Sequence, residues 1–204
     1  MKIYKFGGAS VKDAERIRHL ADIVREETQP LIIVVSAMGK TTNQLEEFTR
    51  MLYPDAPFED TEYNRLYDQV VSTGELQSTR IVSAYLAHSG IANQWMDITS
   101  VLRTDETYRN ANVDIATSST LLTAYLQAHP SRVYVTQGFI GGTASGMRTT
   151  LGREGSDYTA ALLAYMLNAE SVTLWKDVSG VFSADPRRVR DAQLIREMSY
   201  AQAQ

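Results

Sequence analysis

The sequence predicts an α/β protein with parallel strands, on three observations. Residues 2–6 form a short strand candidate that runs through Gly7 and Gly8 into a stretch with helical periodicity. A β-branched run, Leu31 to Val35, follows directly after Pro30, and a strand, a helix and a strand in so short a span require a parallel pair with a right-handed crossover. The helix-to-strand step then recurs, at 118–127 into 132–136 and at 157–167 into 171–175.

The first helix is drawn by Val11, Ala14, Ile17, Leu20, Ala21 and Val24, which share one face, while Lys12, Asp13, Glu15, Arg18 and Arg25 fall opposite. Pro30 ends it. Leu31 to Val35 is apolar at every position, as in a strand covered on both faces. The segment MLYPDAPFED, residues 51–60, reads as a loop for its prolines and acids. Beyond it a long helical pattern runs from Glu62 to about Ala87, interrupted at Ser72-Thr73-Gly74-Glu75 by a glycine and two capping residue types. With no internal repeat or low-complexity tract, one domain is expected. Ser199 reads as an N-cap with too few residues after it for a stable helix, so the domain is expected to be cut short at its C-terminus.

With 204 residues and 44% hydrophobic content, the chain can bury one substantial core. The absence of cysteine excludes disulfides, thiolate zinc sites and cysteine nucleophiles. A formal charge of -4 and a pI near 5.4 argue against nucleic-acid binding. MKIYKFGG is no signal peptide, and no apolar run reaches the ~20 residues of a membrane span, so a soluble, cytoplasmic protein is expected. His19, His88 and His129 are far apart, each in or beside a helical pattern, and no histidine metal site is expected.

Ligands of open α/β sheets gather at the carboxyl ends of the strands, and four loops there carry chemistry. In Lys5-Phe-Gly-Gly-Ala-Ser10 the glycines permit close backbone approach and the amides suit phosphate, with Lys5 adding a full charge. A plain tight turn explains this loop equally well. Ser36-Ala-Met-Gly39-Lys40-Thr41 imitates a P-loop, but that motif needs a glycine where Val34 stands. What is left is hydroxyl-rich, Ser36, Thr41 and Thr42 with Asn43, fit to bind a polar substrate or to cap a helix.

The third loop, residues 136–157, holds six of the twelve glycines, carries Arg148 and Arg153, and delivers Ser156 and Asp157 to a helix start. Arg153 can grip a carboxylate with a two-pronged pair of hydrogen bonds, whereas capping alone would account for Ser156 and Asp157. The fourth loop, residues 176–188, mixes cations, acids and an aromatic in a way suited to a nucleotide, or is an exposed turn organised by Gly180 and Pro186.

Taken together, KFGGAS, VVSAMGKTTNQL, STGELQST, TQGFIGG, TLGREGSDYTAA and KDVSGVFSADPR resemble the aspartate kinases, in that family's order and at about its spacing, over essentially the whole chain. The resemblance implies an amino-acid kinase fold, a three-layer αβα sandwich around a mainly parallel sheet, without the C-terminal end of the kinase domain and the ACT regulatory domains. It also implies phosphorylation of the L-aspartate side-chain carboxylate by ATP, with Mg2+ carried by the nucleotide. Lys5 falls on the lysine that stabilises the transferring phosphoryl group, with Gly7 and Gly8 beside the phosphates. Asp157 matches the acid that orients Lys5. Glu75 falls on the acid that meets the substrate ammonium and Arg153 on the arginine that holds its α-carboxylate. Ser36, Thr42, Phe139 and Ser156 look like further positions of the aspartate pocket. Lys176, Asp177, Phe182, Asp185 and Arg187 are similar to the nucleotide-binding segment. The oligomeric state is left open, with a homodimer as one reading.

The chemistry agrees with this cast. A carboxylate with a pKa of about 4 is ionised at neutral pH, so its attack on the γ-phosphate needs no general base and no histidine. Two alternatives stand beside it: a related kinase for glutamate or acetylglutamate, and a folded, inactive fragment that only binds ligand. A nicotinamide-dependent dehydrogenase fails for want of G-x-G-x-x-G after the first strand. Three positions depart from the family pattern: Ala9 where threonine is usual, Glu154 where glycine is usual and Phe182 where tyrosine is frequent. Glu154 sets an extra anion beside Arg153.

Overall fold

The computed structural model describes residues 1–54, 57, 61–176 and 178–203, so half of the 51–60 loop lies outside the described residues. In chain order the strands are β1 (Lys2–Phe6), β2 (Leu31–Val35), β3 (Gln94–Met96), β4 (Val133–Gln137), β5 (Ile140–Gly142), β6 (Arg148–Thr150), β7 (Ser171–Trp175), β8 (Val181–Phe182) and β9 (Leu194–Ile195). The helices are α1 (Ala14–Glu26), α2 (Thr41–Leu52), α3 (Thr61–Val71), α4 (Thr73–His88), α5 (Ile115–Ala128), α6 (Gly155–Met166) and α7 (Tyr200–Ala203).

The central sheet has the order β3-β4-β2-β1-β7, and every pairing in it is parallel. Its logic is written in β2, where all five residues are buried. Ile32 and Val34 join one core layer with Leu122 of α5 and Leu163 of α6. Leu31, Ile33 and Val35 join the other, with Leu20 and Val24 of α1 and Val82 and Leu86 of α4. Alternate side chains of one strand therefore feed opposite layers, which is the three-layer sandwich.

The helix after β1 starts later than its apolar pattern suggests. Gly8–Val11 form a 3-10 turn, and Asp13 caps α1 by accepting from the Arg16 amide at 2.9 Å. Val11 is buried as expected, but Ala14 is exposed. The interruption foreseen at 72–75 is real: α3 and α4 meet at Ser72. Gly74 lets α4 close on the loop after β2 and on α2, since a Cβ there would stand 3.0 Å from the Ala37 Cβ and 3.4 Å from the Thr41 Cγ2. Ser78 Oγ then donates to the Ser36 carbonyl at 2.8 Å, fastening the first turns of α4 to the carboxyl end of β2.

Two features escape the sequence reading. The strand β3 is too short to show alternation. Inside the glycine-rich loop, β5 and β6 form an antiparallel hairpin, after which the Leu151 amide donates to the Phe139 carbonyl at 2.8 Å. Beyond β7, β8 and β9 make a second hairpin, and Ser199 Oγ accepts from the Gln202 amide at 3.3 Å to cap the single turn of α7. Among the described residues no helix is long and apolar enough to cross a membrane.

Candidate active site

The carboxyl ends of β1, β2 and β4 open on one cleft of about 430 Å³. Lys5, Ser36, Thr42, Glu75, Phe139, Arg153, Ser156 and Asp157 all line it, although they come from six separate stretches of chain.

Lys5 sits near the end of β1 and is buried, with its Nζ 2.5 Å from Asp157 Oδ1. Asp157 lies in the first turn of α6, where the helix dipole favours a negative charge. Its second oxygen is 3.4 Å from the Nζ of Lys176, which follows β7 beside β1. Burial works against the Asp157 charge, but the hydrogen bond and charge of Lys5, aided by Lys176, prevail and hold its pKa below the ordinary carboxylate value. The carboxylate is thus a fixed anion gripping two lysines.

Gly7 and Gly8 behave differently from one another. A Cβ on Gly7 would lie 3.7 Å from the Lys5 Nζ, so the missing side chain keeps the space beside that ammonium open. At Gly8 a Cβ would strike the carbonyl oxygens of Ala37 and Gly39 at 2.7 and 2.8 Å, and the Gly39 amide donates to the Gly8 carbonyl at 3.0 Å. Gly8 is thereby needed first for the packing of the β1 loop on the β2 loop.

Glu75, only 2% exposed, points from the first turn of α4 into the cleft. One oxygen accepts from the Ala37 amide at 3.2 Å and lies 3.5 Å from the Thr42 hydroxyl. The other, Oε2, is buried with no hydrogen-bond partner among the described residues. Burial pushes the Glu75 pKa from 4.5 up to about 7, against the lowering effect of those hydrogen bonds. Its ionised form would be stabilised by a cation or a hydrogen-bond donor at that oxygen.

The far wall is Phe139, Ser156 and Arg153. Phe139 has a φ of 69°, a conformation unusual for a bulky residue, and its amide donates to Thr159 Oγ1 at 3.0 Å. Gly138 and Gly155 make the necessary room, since a Cβ on Gly138 would lie 2.6 Å from the Ser156 Cβ and one on Gly155 2.7 Å from the Phe139 ring. Arg153 is exposed at the rim. Glu154 also lines the cleft, at a φ of 56° that favours glycine, and no ion pair joins it to Arg153 among the described residues.

Glu46 belongs to the cleft too and is not among the residues the sequence singles out. Its signal was available, because Thr42 and Glu46 are four residues apart on α2 and so share a face. On the nucleotide side, Asp177 lies outside the described residues. Phe182, Asp185 and Arg187 are not brought to the cleft. Phe182 pairs with Leu194 in the β8–β9 hairpin, and Asp185 accepts from the Arg187 amide at 2.9 Å.

A parallel αβα sandwich with a lysine–carboxylate pair at its strand ends defines the class, and the sequence model of the amino acid kinase family matches residues 1–204: the chain belongs to that family. Within it, the chain is 35% identical to lysine-sensitive aspartokinase 3 of Escherichia coli over 98% of this chain and 54% of that protein. It is 37% identical to the aspartokinase of Geobacillus stearothermophilus, over 97% of this chain and 47% of the relative. The structure of E. coli aspartokinase III in complex with aspartate and ADP superposes with a TM-score of 0.84 and 33% identity, covering 100% of this chain and 55% of the other. The chain therefore spans about half the length of these relatives.

Proposed function

We propose that this chain supplies the substrate-binding and phosphoryl-transfer part of an aspartate kinase acting in the cytoplasm. A β-carboxylate oxygen of L-aspartate attacks the γ-phosphorus of ATP, a new O–P bond forms, the bond from the γ-phosphorus to the bridging oxygen breaks with its electron pair leaving on ADP, and 4-phospho-L-aspartate and ADP result. No proton moves in that step.

The observation that carries this reading is the unpartnered Oε2 of buried Glu75 inside a cleft that also holds Lys5, Asp157 and Arg153. An α-ammonium satisfies that oxygen, and Arg153 offers a fork for the α-carboxylate. Ser36, Thr42 and Ser156 supply hydroxyls, and Phe139 a rigid wall. With the amino acid held at both ends, its β-carboxylate is directed along the cleft toward Lys5, whose charge offsets that of the transferring phosphoryl group. Asp157 keeps Lys5 in place, and Lys176 adds a second cation on the same side. Gly7, Gly8, Lys176, Asp177, Phe182, Asp185 and Arg187 make up the nucleotide side of this reading. An Mg2+ that arrives on ATP would be held by phosphate oxygens and water. The ion would spread the charge of the leaving diphosphate.

An acyl phosphate reacts with hydroxylamine, which gives the test. ATP-Mg and aspartate with the protein are expected to yield hydroxamate, glutamate and N-acetylglutamate none, and Lys5→Ala to abolish it. An absence of aspartate-dependent hydroxamate, or a Lys5→Ala protein as active as the unmodified one, would sink the assignment.

A further inference from the structure

A second hollow of about 520 Å³ adjoins the cleft and shares Phe139, Gly152 and Arg153 with it. Its other wall is built from Tyr67 on α3, Tyr108 and Arg109 in the loop before α5, and Thr150 on β6. Asp68, with no exposed surface, fastens these parts together. Its carboxylate accepts from the Arg109 amide at 2.9 Å, and from the amide and hydroxyl of Thr150, both at 2.8 Å. Burying a charge is costly unless its hydrogen bonds are made, and here they join a helix, a loop and a strand around one hollow.

Backbone strain falls in the same place. Among the described residues, four other than glycine have positive φ: Arg109 and Phe139 at 69°, Glu154 at 56° and Asn168 at 46°. Asparagine tolerates this conformation, whereas for the other three it costs roughly 1–2 kcal/mol each. All three border the paired cavities, Arg109 in the second, Glu154 in the first and Phe139 in both. The Arg109 guanidinium lies 4.2 Å over the Tyr67 ring and 3.7 Å from Glu46, a residue of the first cleft.

The lining has a definite chemical preference. It presents two arginines and three aromatic rings and, among the described residues, no acid. The nearest acid, Glu46, is already paired with Arg109 at 3.7 Å, so among the described residues an ammonium would find no free counter-charge there. A carboxylate would meet a guanidinium fork, and a flat ring would meet aromatic walls. We propose that this hollow is a second small-molecule site, which binds an aryl-alkyl carboxylate lacking an ammonium group, and that its occupant competes with the first-cleft ligand for Arg153. One guanidinium makes a two-pronged grip on one carboxylate at a time. The competition rests on reading Arg153 as the carboxylate grip of the first cleft; the binding itself does not.

The probe is 3-phenylpropionate, and 2-phenylethylamine, with the same ring and the opposite charge, is its control. Titration calorimetry on the unmodified protein is expected to show saturable binding of the carboxylate and none of the amine. Arg109→Gln should weaken the carboxylate about 10-fold or more, the worth of a charge-assisted grip, and leave aspartate binding unchanged. Because the Arg109 amide is tied to Asp68, folding of the variant is checked by its unfolding midpoint, and Arg109→Lys should restore part of the binding. Saturating aspartate should weaken the probe severalfold. No carboxylate binding, equal binding of the amine, or binding that ignores Arg109→Gln in a folded protein would overturn the site, and binding indifferent to aspartate would overturn the competition. If the probe binds but aspartate does not, the kinase reading falls and this site stands.

Discussion

Replacing Glu75 with glutamine tests the electrostatic centre of the site. Glutamine keeps an oxygen for the Ala37 amide and the Thr42 hydroxyl, puts an NH2 where Oε2 now has no partner, and removes the ionisation. In the folded chain the Glu75 pKa stands at about 7 against 4.5, because burial favours the neutral acid. A group whose folded pKa is raised binds protons more readily folded than unfolded, so stability falls as pH rises from about 4.5 to about 7 and is level above. At 1.36 kcal/mol per pH unit the full loss is about 3 kcal/mol. The glutamine variant escapes it. Urea unfolding of both proteins between pH 4 and pH 8.5 is therefore expected to give a stability difference that moves in favour of the variant by about 3 kcal/mol across that range. Taking the difference cancels groups common to both, including Asp157, whose lowered pKa acts with the opposite sign. A difference that does not change with pH would refute the reasoning. Aspartate affinity supplies the complementary readout: it should fall as pH drops below about 7 in the unmodified protein, and by about 30-fold, or ~2 kcal/mol, on Glu75→Gln at pH 8.

Three further outcomes follow from the geometry. Asp157→Asn leaves the buried Lys5 without its counter-charge, so it should destabilise the fold by about 3 kcal/mol and reduce kcat more than the KM for aspartate, measured by unfolding and by the hydroxamate assay. The unmodified pair contributes stability that is present above the ordinary carboxylate pKa and is lost as pH falls through the lowered value of Asp157, so acid should narrow the gap between the two proteins. Glu154→Gly relieves a left-handed residue and removes an anion from the cleft, and should raise stability by about 0.5 kcal/mol while lowering the KM for aspartate. Gly138→Ala drives a Cβ to 2.6 Å from that of Ser156 and should displace the start of α6, costing roughly 2 kcal/mol and most of the activity.

The fold was legible wherever a segment's own pattern decided its environment. Leu31–Val35 is apolar throughout because helices cover both its faces, and the helix break at Ser72 shows because glycine and capping residues cluster there. Gln94–Met96 left no trace, since a short parallel strand is held by its neighbour β4 and not by its own alternation. The start of α1 was misplaced for a related reason: Val11 is buried as a helical residue would be, yet it belongs to a 3-10 turn whose geometry is set by packing of the glycine loop. In the third loop the glycines announced a special backbone without saying that it is a hairpin.

The site divides along a similar line, between residues whose partners are distant in sequence and residues whose partners are near. Lys5 meets Asp157, Glu75 meets Ala37, and Gly138 meets Ser156 across the cleft. Such long-range contacts oblige the fold to bring these groups together once the strands are in register, which is why one cavity collects them. Asp185, by contrast, is engaged by the Arg187 amide at 2.9 Å and by Arg188 Nε at 3.8 Å, and Phe182 by a hairpin partner. Local bonds of this kind shape a loop but do not aim it. The same contrast governs Glu154. Its backbone carbonyl accepts from the amides of Asp157 and Tyr158 at 2.9 and 3.0 Å and opens α6, so the left-handed turn is fixed by the helix it starts, whatever side chain it carries. A glycine there would serve the turn better than the acid that stands in its place.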